Sequence, residues 1–160
     1  MSPTRIFVSF DREHDLDLSE LLDAHSRRSG ATFEIMKNRC RQASHPGWSA
    51  DARTEIRAAD EVLVICGENT HESLRVSLEL AIAQDEVKPY MLLWGRREKM
   101  CTKPVGARRL DAMYSWTREI LEGQISTTLR NAEPLVVPEN CKRIQQRPSS
   151  ESATCEGRVG

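Results

Sequence analysis

The residues best suited to chemistry sit where two apolar strands end. Glu61–Cys66 (Glu-Val-Leu-Val-Ile-Cys) passes through a polar turn, residues 67–73, into a helix carrying Glu79. Arg5-Ile-Phe-Val-Ser-Phe10 ends in Asp11-Arg-Glu-His-Asp15. In a parallel sheet both ends lie on one edge, the edge at which open α/β sheets bind ligands. Glu79 is therefore a candidate catalytic carboxylate. Ser9, Phe10 and Asp11 offer a hydroxyl, an aromatic face and a second carboxylate, which suit the sugar, base and amide of a nucleotide. The competing view of these three is a strand end feeding a turn, with Asp11 capping locally.

On a helical wheel begun at Leu74, with about 100° per residue, Leu78, Ala81 and Ile82 share one face. Val76, Leu80 and Ala83 occupy much of the other. Glu72, Arg75, Glu79 and Glu86 fall in the narrow remaining sector. That stripe is either a solvated face, with an Arg75 and Glu79 pair at i,i+4 worth only about 0.2–0.5 kcal/mol, or a carboxylate at a cleft rim. Trp48, after Pro46-Gly47 in the loop following the second strand, either stacks on a base or anchors that loop.

Other chemistries find less support. His14, His25, His45 and His71 have no metal-ligand spacing, so no metal site is expected. There is no GxGxxG or GxxxxGK[ST] loop, which removes the usual phosphate cradles of dinucleotide oxidoreductases and P-loop NTPases. The basic group Arg96, Arg97, Lys99, Lys103, Arg108 and Arg109 could contact phosphates, but Glu98 and Asp111 interrupt it, and a solvated loop is the default.

The elements that must position these residues alternate along the chain. Residues 6–10 read as a strand, 16–27 as an amphipathic helix stopped by Gly30, and 32–36 as a strand. A polar stretch (37–47) precedes a helix over 50–59. Glu61–Cys66 is too apolar to face water on either side, as in a central parallel strand. Asn69 can cap the next helix, with Glu72 reaching back as in a capping box, and that helix should run to about Asp85. Residues 88–94 supply a fourth strand, and 114–129 a last helix after an irregular connection over 95–111. A short fifth strand is possible near 112–115. From Asn131 the pattern stops, and residues 147–160 are small and polar enough to be disordered. The expectation is an α/β domain over residues 1–130 and a C-terminal extension over 131–160.

With 160 residues, one domain can bury about 70% of its unfolded surface. A net charge of −1 with 29% charged residues lacks the basic excess that makes nucleic acid the default partner. Five scattered cysteines without a CxxC pair suggest a reduced, cytoplasmic protein. No apolar run is long enough to cross a bilayer, and no signal region follows Met1.

Together, Arg5-Ile-Phe-Val-Ser-Phe-Asp11, residues 56–73 and Leu78-Glu79-Leu-Ala-Ile-Ala83, followed by Lys88-Pro89, resemble TIR-like domains, in particular those of the prokaryotic Thoeris antiphage type. The resemblance covers about residues 4–130. It implies a flavodoxin-like, three-layer fold with a central parallel sheet of about five strands. It also implies cleavage of NAD, as substrate, at the nicotinamide-ribose bond, giving ADP-ribose or a cyclised isomer that signals. The position matching the family's catalytic residue is Glu79. The family's BB loop corresponds approximately to residues 39–48, and its strand-end ligand contacts to Ser9, Phe10 and Asp11. Many such enzymes have tryptophan four residues before the glutamate, where this chain has Arg75.

That chemistry suits the residues. Breaking the bond to a cationic nicotinamide builds oxocarbenium character on the ribose, which an anionic side chain stabilises. Glu79 would engage the ribose, while Phe10 and Trp48 hold flat rings. The expected partners are NAD, other TIR protomers, a phage trigger and, indirectly, a separate messenger-sensing effector, since 160 residues leave no room for a nuclease or pore domain. A non-catalytic TIR interaction module is the main alternative, favoured by Arg75. A nucleoside-processing enzyme with a carboxylate nucleophile is a third reading.

Overall fold

The computed structural model describes residues 2–37 and 46–132. Five strands form one sheet in the order β2-β1-β3-β4-β5: β1 (Thr4–Ser9), β2 (Phe33–Ile35), β3 (Glu61–Cys66), β4 (Tyr90–Trp94) and β5 (Met113–Ser115). Every neighbouring pair is parallel. All six residues of β3 are buried, as expected of a strand covered on both faces.

Among the described residues, four helices supply the covering layers: α1 (Leu16–Ser26), α2 (Trp48–Ala58), α3 (Leu74–Asp85) and α4 (Arg118–Ala132). Strand periodicity divides the core into two. Phe7, Val62, Val64, Cys66 and Leu92 pack with Ala52 and Ile56 of α2 and with Val76, Leu80 and Ala83 of α3. Ile6, Val8, Leu63, Ile65 and Leu93 pack with Leu18 and Leu22 of α1 and with Leu121 and Ile125 of α4. The result is a three-layer α/β fold with α1 and α4 on one face and α2 and α3 on the other. The strand order reverses between β1 and β3, which makes the C-terminal edge of that pair the switch point where such sheets bind ligands.

Several boundaries differ from the sequence expectation for local reasons. Trp48, placed in a loop from the sequence, is the first residue of α2, entered through Gly47 at φ 105°. Asn69 provides no side-chain cap. A single 3-10 turn, Thr70–Glu72, intervenes, and the Ser73 side chain accepts from Val76 N to start α3. The expected capping box therefore does not form. The short strand near 112–115 is present as β5, so α4 begins at Arg118 rather than at 114. Residues 38–45, which hold most of the segment expected to correspond to the BB loop, and residues 133–160 of the C-terminal extension lie outside the described residues.

Candidate functional site

β1 stops at Ser9, opposite Val64, while β3 continues to Cys66. Ser9 is thus the last β1 side chain on the α2 and α3 face, one period beyond Phe7. Across from it lies Glu79. This carboxyl is only 1% exposed, although the sequence allowed it a solvated stripe. Leu74 and Leu78 instead face solvent, at 72% and 39% exposure. The reason is the orientation of α3, which turns Val76, Glu79, Leu80 and Ala83 toward the sheet.

The buried carboxylate is fully engaged. Its Oε2 accepts from Ser9 Oγ at 2.5 Å, and its Oε1 accepts from Arg75 Nε at 2.9 Å. Arg75 is itself largely buried, and its guanidinium lies 5.5 Å from the centroid of the Trp48 ring. Trp48, Arg75, Glu79 and Ser9 therefore form one continuous chain of contacts between α2, α3 and β1. Burial pushes the Glu79 carboxyl above its ordinary range, opposed by the Ser9 hydrogen bond and by the charges of Arg75 and Arg12. The net upward direction means that burial outweighs its partners.

Beside this chain lies a cleft of about 360 Å³, lined by Asp11, Arg12, His14, Glu72, Ser73 and Arg75 among others. Of the six site residues expected from the sequence, Asp11 and Arg75 line it. Glu79 does not, because Arg75 presents to the cleft in its place. Phe10 packs into the opposite core with Val8 and Leu18, since strand alternation sends it away from Ser9. Trp48 is occupied by Arg75 and the α2 side of the core. Asp11 makes the local turn anticipated for it, with Oδ1 accepting from Glu13 N at 3.1 Å.

One feature of the cleft escaped the sequence reading. Asp11 Oδ2 lies 2.7 Å from His14 Nδ1, and this contact raises the histidine's pKa above its ordinary value. The i,i+3 spacing was visible, but the backbone bond from Asp15 N to Asp11 O that folds the turn was not. Arg96, grouped from the sequence with loop cations that could contact phosphate, pairs instead with Asp17 at 2.8 Å and with buried Asp15 at 3.3 Å. It ties α1 to the segment after β4.

No family model matches the chain, and neither does any curated protein. Among solved structures, one described as "Crystal Structure of a prokaryotic SEFIR domain" aligns with a TM-score of 0.51 at 18% sequence identity. The alignment covers 86% of this chain and 96% of that one. The fold is TIR-like. At this identity the likeness concerns the fold alone. Within the TIR-like frame, Glu79 stands on α3 behind the C-terminal edge of β1 and β3, with the cleft at its side. Among the described residues, no helix is long and apolar enough to cross a membrane.

Proposed function

We propose that this chain cleaves NAD at the bond between nicotinamide and ribose, with Glu79 as the carboxylate that stabilises the developing ribosyl cation. One observation carries the reading: a carboxyl only 1% exposed, held by a hydroxyl and a guanidinium, lies at the sheet's switch-point edge beside an open cleft. Burying a charge is costly unless it is paired, and an anion kept in a desolvated site acts most strongly on positive charge formed there. Loss of neutral nicotinamide leaves the cationic ribose carbon. Capture by water gives ADP-ribose, and capture by another atom of the same nucleotide gives a cyclic isomer. Binding requires Arg75 to release Glu79 Oε1 so that the ribose reaches the carboxylate. The freed guanidinium then lies in the cleft, where the substrate's phosphates offer it a new partner. In this reading the product is a messenger for a separate effector in antiphage defence of the Thoeris type, made after a phage trigger.

The deciding experiment follows NAD, nicotinamide and ADP-ribose-mass species by chromatography with mass detection. It compares cells expressing the wild type or Glu79→Gln, with and without phage. The expected result is that nicotinamide release falls by about 10²-fold or more in the variant. Equal cleavage by folded Glu79→Gln would rule Glu79 out.

A second reading, an interaction module that assembles with other TIR-like domains, is favoured by the Arg75 lock on Glu79 and by the exposed Leu74 and Leu78 on α3. It becomes the better one if NAD stays intact during a working defence response while Leu74→Ser/Leu78→Ser abolishes that response.

A further inference from the structure

A second cavity, of about 410 Å³, opens between α1 and the C-terminal ends of β4 and β5. Its walls include Leu21 and His25 of α1, Trp94 and Gly95 where β4 ends, Arg97, and Trp116 just after β5. It has no lining residue in common with the cleft beside Glu79. The volume falls in the range of small-molecule sites, about 300–1,000 Å³, which combine apolar and aromatic walls with a few polar groups.

The walls carry unused polar capacity. Trp94 Nε1 donates to Arg96 O at 2.8 Å, which fixes that ring. Trp116 stands edge to face with His25, their centroids 6.4 Å apart and their planes at 74°. Trp116 Nε1 and His25 Nδ1 are both sheltered from solvent, and neither has a hydrogen-bond partner among the described residues. Leaving a buried polar atom unpaired costs about 1–3 kcal/mol, so a ligand that supplies a partner recovers that cost. Arg97 is exposed and takes part in no ion pair among the described residues, whereas its neighbour Arg96 is held by Asp15 and Asp17.

We propose that this cavity binds a planar heteroaromatic molecule bearing an anionic group, of nucleoside monophosphate size or smaller. The indole and imidazole rings supply flat apolar surface, Trp116 Nε1–H donates to an acceptor on the ligand ring, and Arg97 pairs with the anion. Trp116 Nε1 is enclosed, so this bond forms as the Trp116 ring turns from its edge-to-face contact with His25 toward the cavity. This inference is independent of whether Glu79 cleaves NAD.

The test is isothermal titration of the full chain with two anionic probes, AMP and nicotinate. Adenosine and nicotinamide are the neutral counterparts, and inorganic phosphate is the anion alone. At least one anionic probe should saturate the protein below about 1 mM. Its neutral counterpart and phosphate should bind about tenfold more weakly or worse. Arg97→Gln should lower the affinity about tenfold, Trp116→Phe should lower it several-fold, and His14→Gln in the other cleft should leave it unchanged. Saturation by AMP assigns a nucleotide, and saturation by nicotinate alone an aromatic carboxylate. The proposal is overturned if neither anionic probe saturates in that range, if Arg97→Gln binds like the wild type, or if His14→Gln abolishes binding.

Discussion

Ser9 and Glu79 lie seventy positions apart in sequence and share a buried hydrogen bond of 2.5 Å that ties the end of β1 to α3. Ser9 donates, and the bond favours the charged form of the carboxyl against the burial that opposes it. Ser9→Ala removes this donor and leaves Glu79 Oε2 buried without it. Unfolding in urea should show a loss of about 1–3 kcal/mol at neutral pH. The Glu79 carboxyl should move further above its ordinary range, so the loss grows as the pH is raised. A wild-type urea midpoint in Ser9→Ala would show that the hydroxyl contributes nothing.

Glu61 presents the reverse case. It opens β3, has no solvent exposure, and neither carboxyl oxygen has a hydrogen-bond partner among the described residues. Burial pushes its pKa from 4.5 up to about 8. The folded state therefore keeps a proton that the unfolded chain releases, and stability must fall as the pH rises between those two values. The slope from one such group approaches about 1.4 kcal/mol per pH unit and vanishes above the folded pKa. Glu61→Gln should remove this contribution and raise stability at pH 7 and 8, leaving whatever slope the raised Glu79 carboxyl adds. Urea midpoints at pH 5, 6, 7 and 8 for both proteins measure it. Parallel curves would mean that Glu61 ionises normally.

These two carboxyls mark what the sequence could and could not disclose. The alternation of apolar strands with amphipathic helices made the parallel sheet legible, because β3 is apolar on both faces and only a doubly covered strand tolerates that. The same reasoning placed Ser9 and Glu79 near one sheet edge. It did not reveal that Glu79 is buried, because several rotations of α3 suit its almost fully apolar circumference. Which one wins depends on Ser9, Arg75 and Trp48, three residues from three elements. Ser9, Phe10 and Asp11 follow one another at a strand end and so look like one set of ligand contacts, yet neighbours in a strand point to opposite faces, which separates Phe10 from Ser9. The β-bonded Met113–Ser115 and the helix that follows were hard to separate from sequence, since three residues carry almost no periodicity.

Gly67 follows β3 directly and sits against Asp15 at the start of α1. A methyl group there would fall on the Asp15 carboxylate, 2.5 Å from Oδ1 and closer still to Oδ2. Asp15 cannot readily yield, because it is 1% exposed and held by Arg96. Gly67→Ala should therefore destabilise by several kcal/mol, beyond the usual range for a point change of about 0.5–3 kcal/mol. In an Asp15→Ala background the same substitution should cost much less. A double-mutant cycle read by urea unfolding tests this, and additive effects would show that the two residues do not meet.

Val87 ends α3 in a conformation ill suited to it. Its φ is 53°, in the left-handed region, and it is 87% exposed, so packing does not hold it there. Hydrogen bonds from Lys88 N to Ala83 O at 2.8 Å and from Val87 N to Gln84 O at 3.1 Å close the helix as a Schellman motif. That motif normally places glycine at this position. A β-branched side chain at positive φ is strained, and the left-handed conformation costs an L-residue about 1–2 kcal/mol. Val87→Gly relieves the strain but gives the unfolded chain more freedom, which offsets part of the gain. The expected net effect is a stabilisation of about 0.5–1 kcal/mol, with Val87→Asn improving stability by less. Thermal or urea unfolding at neutral pH measures it, and a loss of stability in Val87→Gly would place Val87 outside the left-handed region in solution.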